Sequence, residues 1–270
     1  LQFYLEGIRE EKTISFVPTM GALHLGHMSL IETAKHKSDI VICSIFVNPT
    51  QFNNPADLLK YPRNNEVDIK ILEDLDCDIL YLPEVIDLYN NNEKAKAFNF
   101  NGLDKFMEGS GRRGHFDGVA TIIEKLFRIV KPNIAFFGLK DLQQLQIIKH
   151  ITKQLCLPIE IIGVETKREE SGLAMSSRNS LLSEQEKGKS MLISETLNFI
   201  KDNSAILSID ELSNQSIKKF KNQNVLELEY LEIVSLNTLQ PISKLGNKNT
   251  NAACIAASIS SVRLIDNIIF

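Results

Sequence analysis

The residues of this 270-residue chain best suited to chemistry lie where short apolar runs stop and helical patterns begin. The first group is Pro18-Thr19-Met20-Gly21-Ala22-Leu23-His24-Leu25-Gly26-His27. Two imidazoles three residues apart, with Gly26 between them letting an oxyanion approach the backbone, offer N–H donors at a helix start, where the helix dipole favours negative charge. Such donors suit the α-phosphate of a nucleotide. The same pair could instead cap and pack the helix, or supply two ligands of a metal, although no third ligand stands at a suitable spacing.

Four further groups have the same character. Gly138-Leu139-Lys140-Asp141-Leu142-Gln143-Gln144 puts Lys140 within reach of phosphate oxygens and offers Gln143 or Gln144 to a polar substrate; an exposed helix start reads similarly. Met175-Ser176-Ser177-Arg178-Asn179 supplies two hydroxyls and a guanidinium in succession, an anion clamp or an ordinary polar loop. Ser44 to Phe52 presents the neutral amides of Asn48 and Gln51, which can hold a hydroxy acid without repelling a triphosphate, though Asn48 before Pro49 also reads as a turn cap. Glu108 to Phe116 is Gly-rich with Arg112 and Arg113, and reads as a solvated basic loop or a subunit contact.

The elements that must position these groups alternate between strand and helix. Strands are expected at Thr13 to Val17, Asp39 to Val47 and Asp78 to Leu82, with a helix over Gly26 to Lys37 and another turning Val67, Ile71, Leu72 and Leu75 inward. This is half of a doubly wound α/β fold, in which ligands collect at the carboxyl ends of the strands. A polar loop excursion runs from Asn90, with Asn91 and Asn92 beside it, to Gly118. Val119, Ile122, Ile123, Leu126, Phe127 and Val130 then mark a helix, Ile134 to Phe137 a strand, Leu145, Ile148, Ile151 and Leu155 a helix, and Ile159 to Val164 a strand. Beyond Lys167 the pattern changes to a smaller α+β domain. Capping boxes at Ser183 with Glu186 and Ser208 with Glu211 announce helices, and strands follow near Leu226 to Val234, Ala252 to Ile259 and Arg263 to Ile268. The expected division is 1–168 and 169–270.

Composition narrows the class. A hydrophobic fraction of 43% supports full cores, and a net charge of -4 supplies no global field for nucleic acid. No run is long enough to cross a bilayer and no signal peptide is visible, so neither membrane nor secretion is expected. Cys43, Cys77, Cys156 and Cys254 are widely separated beside apolar runs, as buried reduced thiols of a cytoplasmic protein would be.

Taken together, PTMGALHLGH, SIFVNPTQF, YPR at Tyr61 to Arg63, EGSGRRGHFDGV, FFGLKDLQQL, GLAMSSRN and RLIDN follow one another as in the pantothenate synthetase family, which the chain resembles over nearly its whole length. Leu139, Arg113 and Thr50 depart from that pattern, standing where Glu, Pro and Met are usual. The resemblance implies a Rossmann-like adenylating domain, a small C-terminal α+β lid domain and a homodimer joined through the N-terminal domain. It also implies ligation of pantoate to β-alanine with ATP, through a pantoyl-adenylate, yielding AMP and pyrophosphate.

Carried over by position, the resemblance makes His24, His27, Lys140, Ser176 and Arg178 catalytic. With Met20, Gly21, Gly138, Asp141, Met175 and Ser177 they would bind ATP; Gln51, Gln144 and Asn48 would bind pantoate, and Asp68 would lie near Mg²⁺. Adenylation builds negative charge on the α-phosphate and the departing pyrophosphate, so it needs placed donors rather than an enzyme nucleophile. The absence of a Ser-His-Asp or Cys-His pattern agrees with that chemistry.

Overall fold

The structure, a computed structural model, describes residues 1–91, 93–223 and 225–270; Asn92, in the Asn run of the expected loop, lies outside them. In chain order come α1 (Gln2–Glu6), β1 (Ile14–Thr19), α2 (Leu25–Lys35), β2 (Ile40–Ile45), α3 (Pro55–Lys60), α4 (Asn65–Asp74), β3 (Ile79–Tyr81) and α5 (Val85–Leu88). Next are α6 (Met107–Gly111), α7 (His115–Val130), β4 (Ile134–Gly138), α8 (Leu142–Gln154) and β5 (Glu160–Val164). The chain ends with α9 (Glu184–Asn203), α10 (Ile209–Gln223), β6 (Glu227–Ser235), β7 (Asn251–Ile259) and β8 (Val262–Ile269). Short 3₁₀ turns at Pro49–Gln51, Leu139–Asp141 and Ser177–Leu181 carry candidate site residues.

The chain forms two compact units. The first comprises Leu1–Phe100, Arg112–Leu139 and Gln144–Glu165; the second comprises Asn101–Gly111, Lys140–Gln143 and Thr166–Phe270. This differs from two contiguous spans, 1–168 and 169–270, because side chains far apart in sequence claim the two short stretches. Gln143 donates from Nε2 to Leu103 O at 2.8 Å and Phe106 O at 2.9 Å, and accepts Glu108 N–H at 3.0 Å. Part of the expected loop excursion is thus helix α6, tied to the second unit, and α7 begins four residues before Val119.

The first unit is built on a five-stranded sheet in the order β3-β2-β1-β4-β5, with every pair parallel. β1 is buried at nearly every position, as expected of a strand covered by helices on both faces. Val17, Leu30, Ile31, Val41 and Phe136 form the core on one side. On the other, Phe127 of α7 meets Phe16 and Phe137 edge to face, each at 6.4 Å between centroids.

β1 runs two residues past its expected end, through Pro18, because it pairs with β4 only at Ser15 and Phe16. Pro18 therefore interrupts no ladder on that side. Chain direction across the sheet reverses between β1 and β4, and the loops leaving these strands begin at Met20 and Leu139. That reversal is the switch point at which open α/β sheets take ligands.

The second unit is a three-stranded antiparallel sheet, β6-β7-β8, covered by α9 and α10. Both expected capping boxes form, with Ser183 and Ser208 each bonded to the glutamate three residues on. Leu192, Leu197, Leu212, Phe220, Ile233 and Ile255 meet in its core.

Two burial expectations fail. Val67 is 50% exposed, because α4 turns Asp68 and Leu72 inward instead. Cys156 is exposed, placed by the left-handed turn (φ 51°) that ends α8, while Cys43 and Cys254 are buried and Cys77 is half-buried. No helix among the described residues is long and apolar enough to cross a membrane.

Candidate active site

In the first unit the chain leaves β1 through a tightly held turn. Thr19 Oγ1 donates to Ser44 O at 2.8 Å and accepts Gly21 N–H at 3.2 Å. Gly21 and Ala22 then pass through the left-handed region, with φ of 78° and 49°. A Cβ at position 21 would lie 3.0 Å from both Asp68 Oδ2 and Ile45 Cγ2, so the turn requires glycine on conformation and on space.

Asp68 holds this turn from α4. Its Oδ2 accepts Ala22 N–H at 2.8 Å and its Oδ1 accepts Leu23 N–H at 2.7 Å, with the residue 1% exposed. Both carboxylate oxygens thus face the positive ends of peptide dipoles. Among the described residues no group of three or more His, Cys, Asp or Glu is placed to hold a metal ion. Asp68 thus shapes the turn before His24.

His24 caps α2 in an extended conformation and accepts Gly26 N–H on Nδ1 at 3.1 Å, while His27 Nδ1 accepts His24 N–H at 3.3 Å. The capping role anticipated as the plainer alternative is real, and it uses Nδ1 of each ring. An imidazole that accepts at Nδ1 carries its proton on Nε2 when neutral, so both rings are donors at that atom. Their centroids are 4.1 Å apart.

The loop after β2 brings together Met20, Asn48 and Gln51. Asn48 Nδ2 donates to Gln51 Oε1 at 3.1 Å and to Gly118 O at 3.1 Å. Its Oδ1 accepts Tyr89 Oη–H at 2.7 Å and Thr50 Oγ1–H at 3.1 Å. The amide of Asn48, 1% exposed, makes four hydrogen bonds within the protein and orients Gln51. Gln51 consequently turns its Nε2 edge toward Met20 Sδ, 3.0 Å away.

Several supports of Gln51 carry no local sequence signal. His115 donates from Nδ1 to Gln51 O at 2.8 Å, because its Nε2 accepts from Arg112 Nη1 at 3.2 Å and a guanidinium can only donate. A Cβ on Gly118 would lie 2.4 Å from Thr50 O, so only glycine lets α7 approach the 3₁₀ turn of Gln51. Thr50, a departure from the family pattern, donates its hydroxyl to Asn48, and its Oγ1 lies 3.1 Å from Tyr89 Oη. Burial raises the Tyr89 phenol above its ordinary range, and its bond with Thr50 acts against that rise.

Gly138 closes β4 opposite Val164, and Leu139, the second departure, lays its Cδ2 over Gly163 of β5. Gln144 is half-buried in α8 and makes no side-chain hydrogen bond to another described residue. Of the two glutamines proposed for a polar substrate, Gln143 is thus structural and Gln144 is the one available.

The second unit holds the cationic groups. Lys140 Nζ lies 3.6 Å from Asp141 Oδ1, its side chain 17% exposed, and its carbonyl accepts Asn267 Nδ2–H at 2.7 Å. Residues 167 to 175 form a hairpin, with Arg168 paired to Ala174 and Met175 N–H donating to Lys167 O at 2.9 Å. It delivers Ser176, whose Oγ accepts Arg178 N–H at 3.3 Å and caps the turn carrying Ser177 and Arg178. Met175 through Arg178 are all half-buried, and Asn179 anchors the segment by donating to Glu169 Oε1 at 2.7 Å and Ala174 O at 3.1 Å.

Glu108, expected in a solvated loop, is 6% exposed and locked between elements. Arg263 donates to both of its oxygens at 2.8 Å and Tyr230 Oη–H donates at 2.8 Å. Burial opposes the Arg263 charge, but the Glu108 and Glu229 carboxylates prevail and hold its pKa above the ordinary range. Burial first, and Glu108 second, push the Tyr230 phenol well up.

Comparison with known proteins identifies the family. The family model described as pantoate-beta-alanine ligase matches residues 1–269. The pantothenate synthetase of Cytophaga hutchinsonii is 44% identical over 266 residues, covering 97% of this chain and 93% of its own. That of Christiangramia forsetii is 46% identical over 258 residues, covering 95% and 91%. The crystal structure of pantothenate synthetase from Thermus thermophilus superposes with a TM-score of 0.91 at 34% identity, over 98% of this chain and 97% of that one. The Francisella tularensis pantoate-beta-alanine ligase, complexed with beta-gamma ATP and beta-alanine, gives 0.80 at 38% identity, over 98% and 94%. With the family model spanning nearly every residue, the chain belongs to the pantoate-beta-alanine ligase family.

Proposed function

We propose that this chain joins pantoate to β-alanine in two steps driven by ATP. In the first, a pantoate carboxylate oxygen attacks the α-phosphorus; the new P–O bond gives pantoyl-adenylate as the bond to the β-phosphate oxygen breaks and pyrophosphate leaves. In the second, the β-alanine amine, its proton lost, attacks the acyl carbon and AMP departs with the bonding electrons, leaving pantothenate. The ligands named for the Francisella family member support ATP and β-alanine as substrates.

The observation that carries this reading is the pair of capped imidazoles. With both Nδ1 atoms given to the helix backbone, His24 and His27 present Nε2–H donors after the strand at the switch point, four and seven residues beyond Met20. Fixed donors of this type stabilise charge as it develops on a phosphoryl group, without reorganising during the reaction. In the same reading Lys140, Ser176, Ser177 and Arg178 bind the phosphates, and Met20, Gly21, Gly138, Asp141 and Met175 line the nucleotide. Gln51 donates from Nε2 to a pantoate oxygen and Gln144 holds the same substrate.

Mg²⁺, which the family resemblance implies, would be held chiefly by the ATP phosphates and water, because it dehydrates reluctantly, with Asp68 the residue that would lie near it; there it would offset charge on the phosphates. Homodimer assembly and a cytoplasmic location rest on the family resemblance, the latter also on four unpaired thiols.

The test is exchange of labelled pyrophosphate into ATP. Exchange should require pantoate and proceed without β-alanine. Exchange without pantoate would instead mark a nucleotidylyltransferase, and no exchange with any hydroxy acid would mark a nucleotide-binding protein without this chemistry.

A further inference from the structure

A lysine ammonium is a point charge on a flexible stem, so its placement depends on how firmly its backbone is held. In the second unit the backbone of Lys140 is gripped by one side chain. Asn267, near the end of β8 and 6% exposed, donates from Nδ2 to Lys140 O at 2.7 Å. Asn267 is itself oriented by its neighbour, for its N–H donates to Asp266 Oδ1 at 2.8 Å.

Asp266 is nearly inaccessible, with a side chain 2% exposed, and Arg168 meets it with two nitrogens, at 2.6 and 3.1 Å. The same guanidinium donates to Gly172 O at 3.0 Å and Asn267 O at 3.4 Å. Arg168 stands on the outgoing arm of the hairpin whose returning arm delivers Met175 to Arg178. Burial raises the Asp266 carboxyl above its ordinary range, while the charges of Arg168 and then Lys140 work to lower it, so the Lys140 ammonium lies within this carboxylate's field. One cluster thus touches both the turn of Lys140 and the hairpin of the Ser-Ser-Arg segment.

We propose that Asn267, backed by the Arg168–Asp266 ion pair, is a positioning residue that sets Lys140 in place and acts on adenylation through it. The inference rests on the role proposed above for Lys140. A hydrogen bond of this kind stabilises modestly by itself, yet a catalytic charge displaced by a small distance loses rate steeply.

The experiment is a double-mutant cycle on pantoate-dependent pyrophosphate exchange, with rates expressed per folded molecule from parallel thermal melts. Asn267→Ala, and Asn267→Leu as the variant of similar volume, should each lower exchange about tenfold while leaving the pantoate KM within about twofold. In a Lys140→Ala background the same substitutions should change exchange by less than about twofold, because the group they position is gone. Equal losses in both backgrounds would show that Asn267 serves the fold generally, and undiminished exchange in the parent background would also overturn the proposal. Full exchange by Lys140→Ala alone would instead remove the role assigned to Lys140. Should that variant fall below detection, ATP affinity by equilibrium dialysis completes the same cycle.

Discussion

His27 Nδ1 accepts the backbone N–H of His24, and His24 Nδ1 accepts that of Gly26, so each imidazole serves helix α2 through Nδ1 and, when neutral, carries its proton on Nε2. In the proposed function, capping and phosphate binding are two uses of one pair of rings. The orientation needed for the second is enforced by the first.

The two uses separate by substitution at position 24. Asparagine caps helices well, so His24→Asn should retain the melting temperature while lowering pyrophosphate exchange by about 10²- to 10³-fold, the scale of one lost charge-stabilising donor. His24→Ala should lose the same activity and about 1 kcal/mol of stability as well. Thermal melts beside exchange rates decide the matter; an active His24→Asn would show that the imidazole is needed only as a cap.

Gly118 makes a second prediction. Its absent side chain lets α7 approach the turn of Gln51, where a methyl group would lie 2.4 Å from Thr50 O and 2.7 Å from Gln51 Cα. Gly118→Ala must push that turn away, costing about 1 to 3 kcal/mol and breaking the bond from Asn48 to Gly118 O. Because Gln51 is then misplaced, the KM for pantoate should rise more than that for ATP. Equal changes in both constants would mean that the Asn48 network does not steer Gln51.

What could be read in advance divides along range. The turn from Thr19 to His27 was legible because its signals are local: an apolar run, a glycine, two histidines and a helical period within ten residues. The hydrogen-bond partners of Asp68 and Asn48 were not. Asp68 contacts backbone 45 and 46 residues away, and Asn48 reaches Tyr89 and Gly118, so no window of sequence contains both partners. The same holds for Glu108, read as part of a solvated loop yet bound to Arg263 across 155 residues. Such side chains look like ordinary surface polar groups until the fold supplies their partners.

The last prediction concerns pH and the second unit. Glu186 stands at the first turn of α9, where Oε1 accepts Ser260 Oγ–H at 2.5 Å and Oε2 accepts Ser183 N–H and Oγ–H at 2.9 and 2.7 Å. The bond from Ser260 first, and those from Ser183 next, hold its pKa down from the ordinary 4.5 to about 2. A carboxylate with a depressed pKa binds protons more weakly folded than unfolded. Its contribution is therefore complete above about pH 4.5 and drains away as pH falls toward 2. Glu186→Gln should be less stable than the parent at pH 7, with the gap narrowing below about pH 4.5 and closing near 2. Urea unfolding across that range, followed by far-UV circular dichroism, measures it. A gap that stayed constant from pH 7 to pH 3 would mean that Glu186 acts through shape rather than charge.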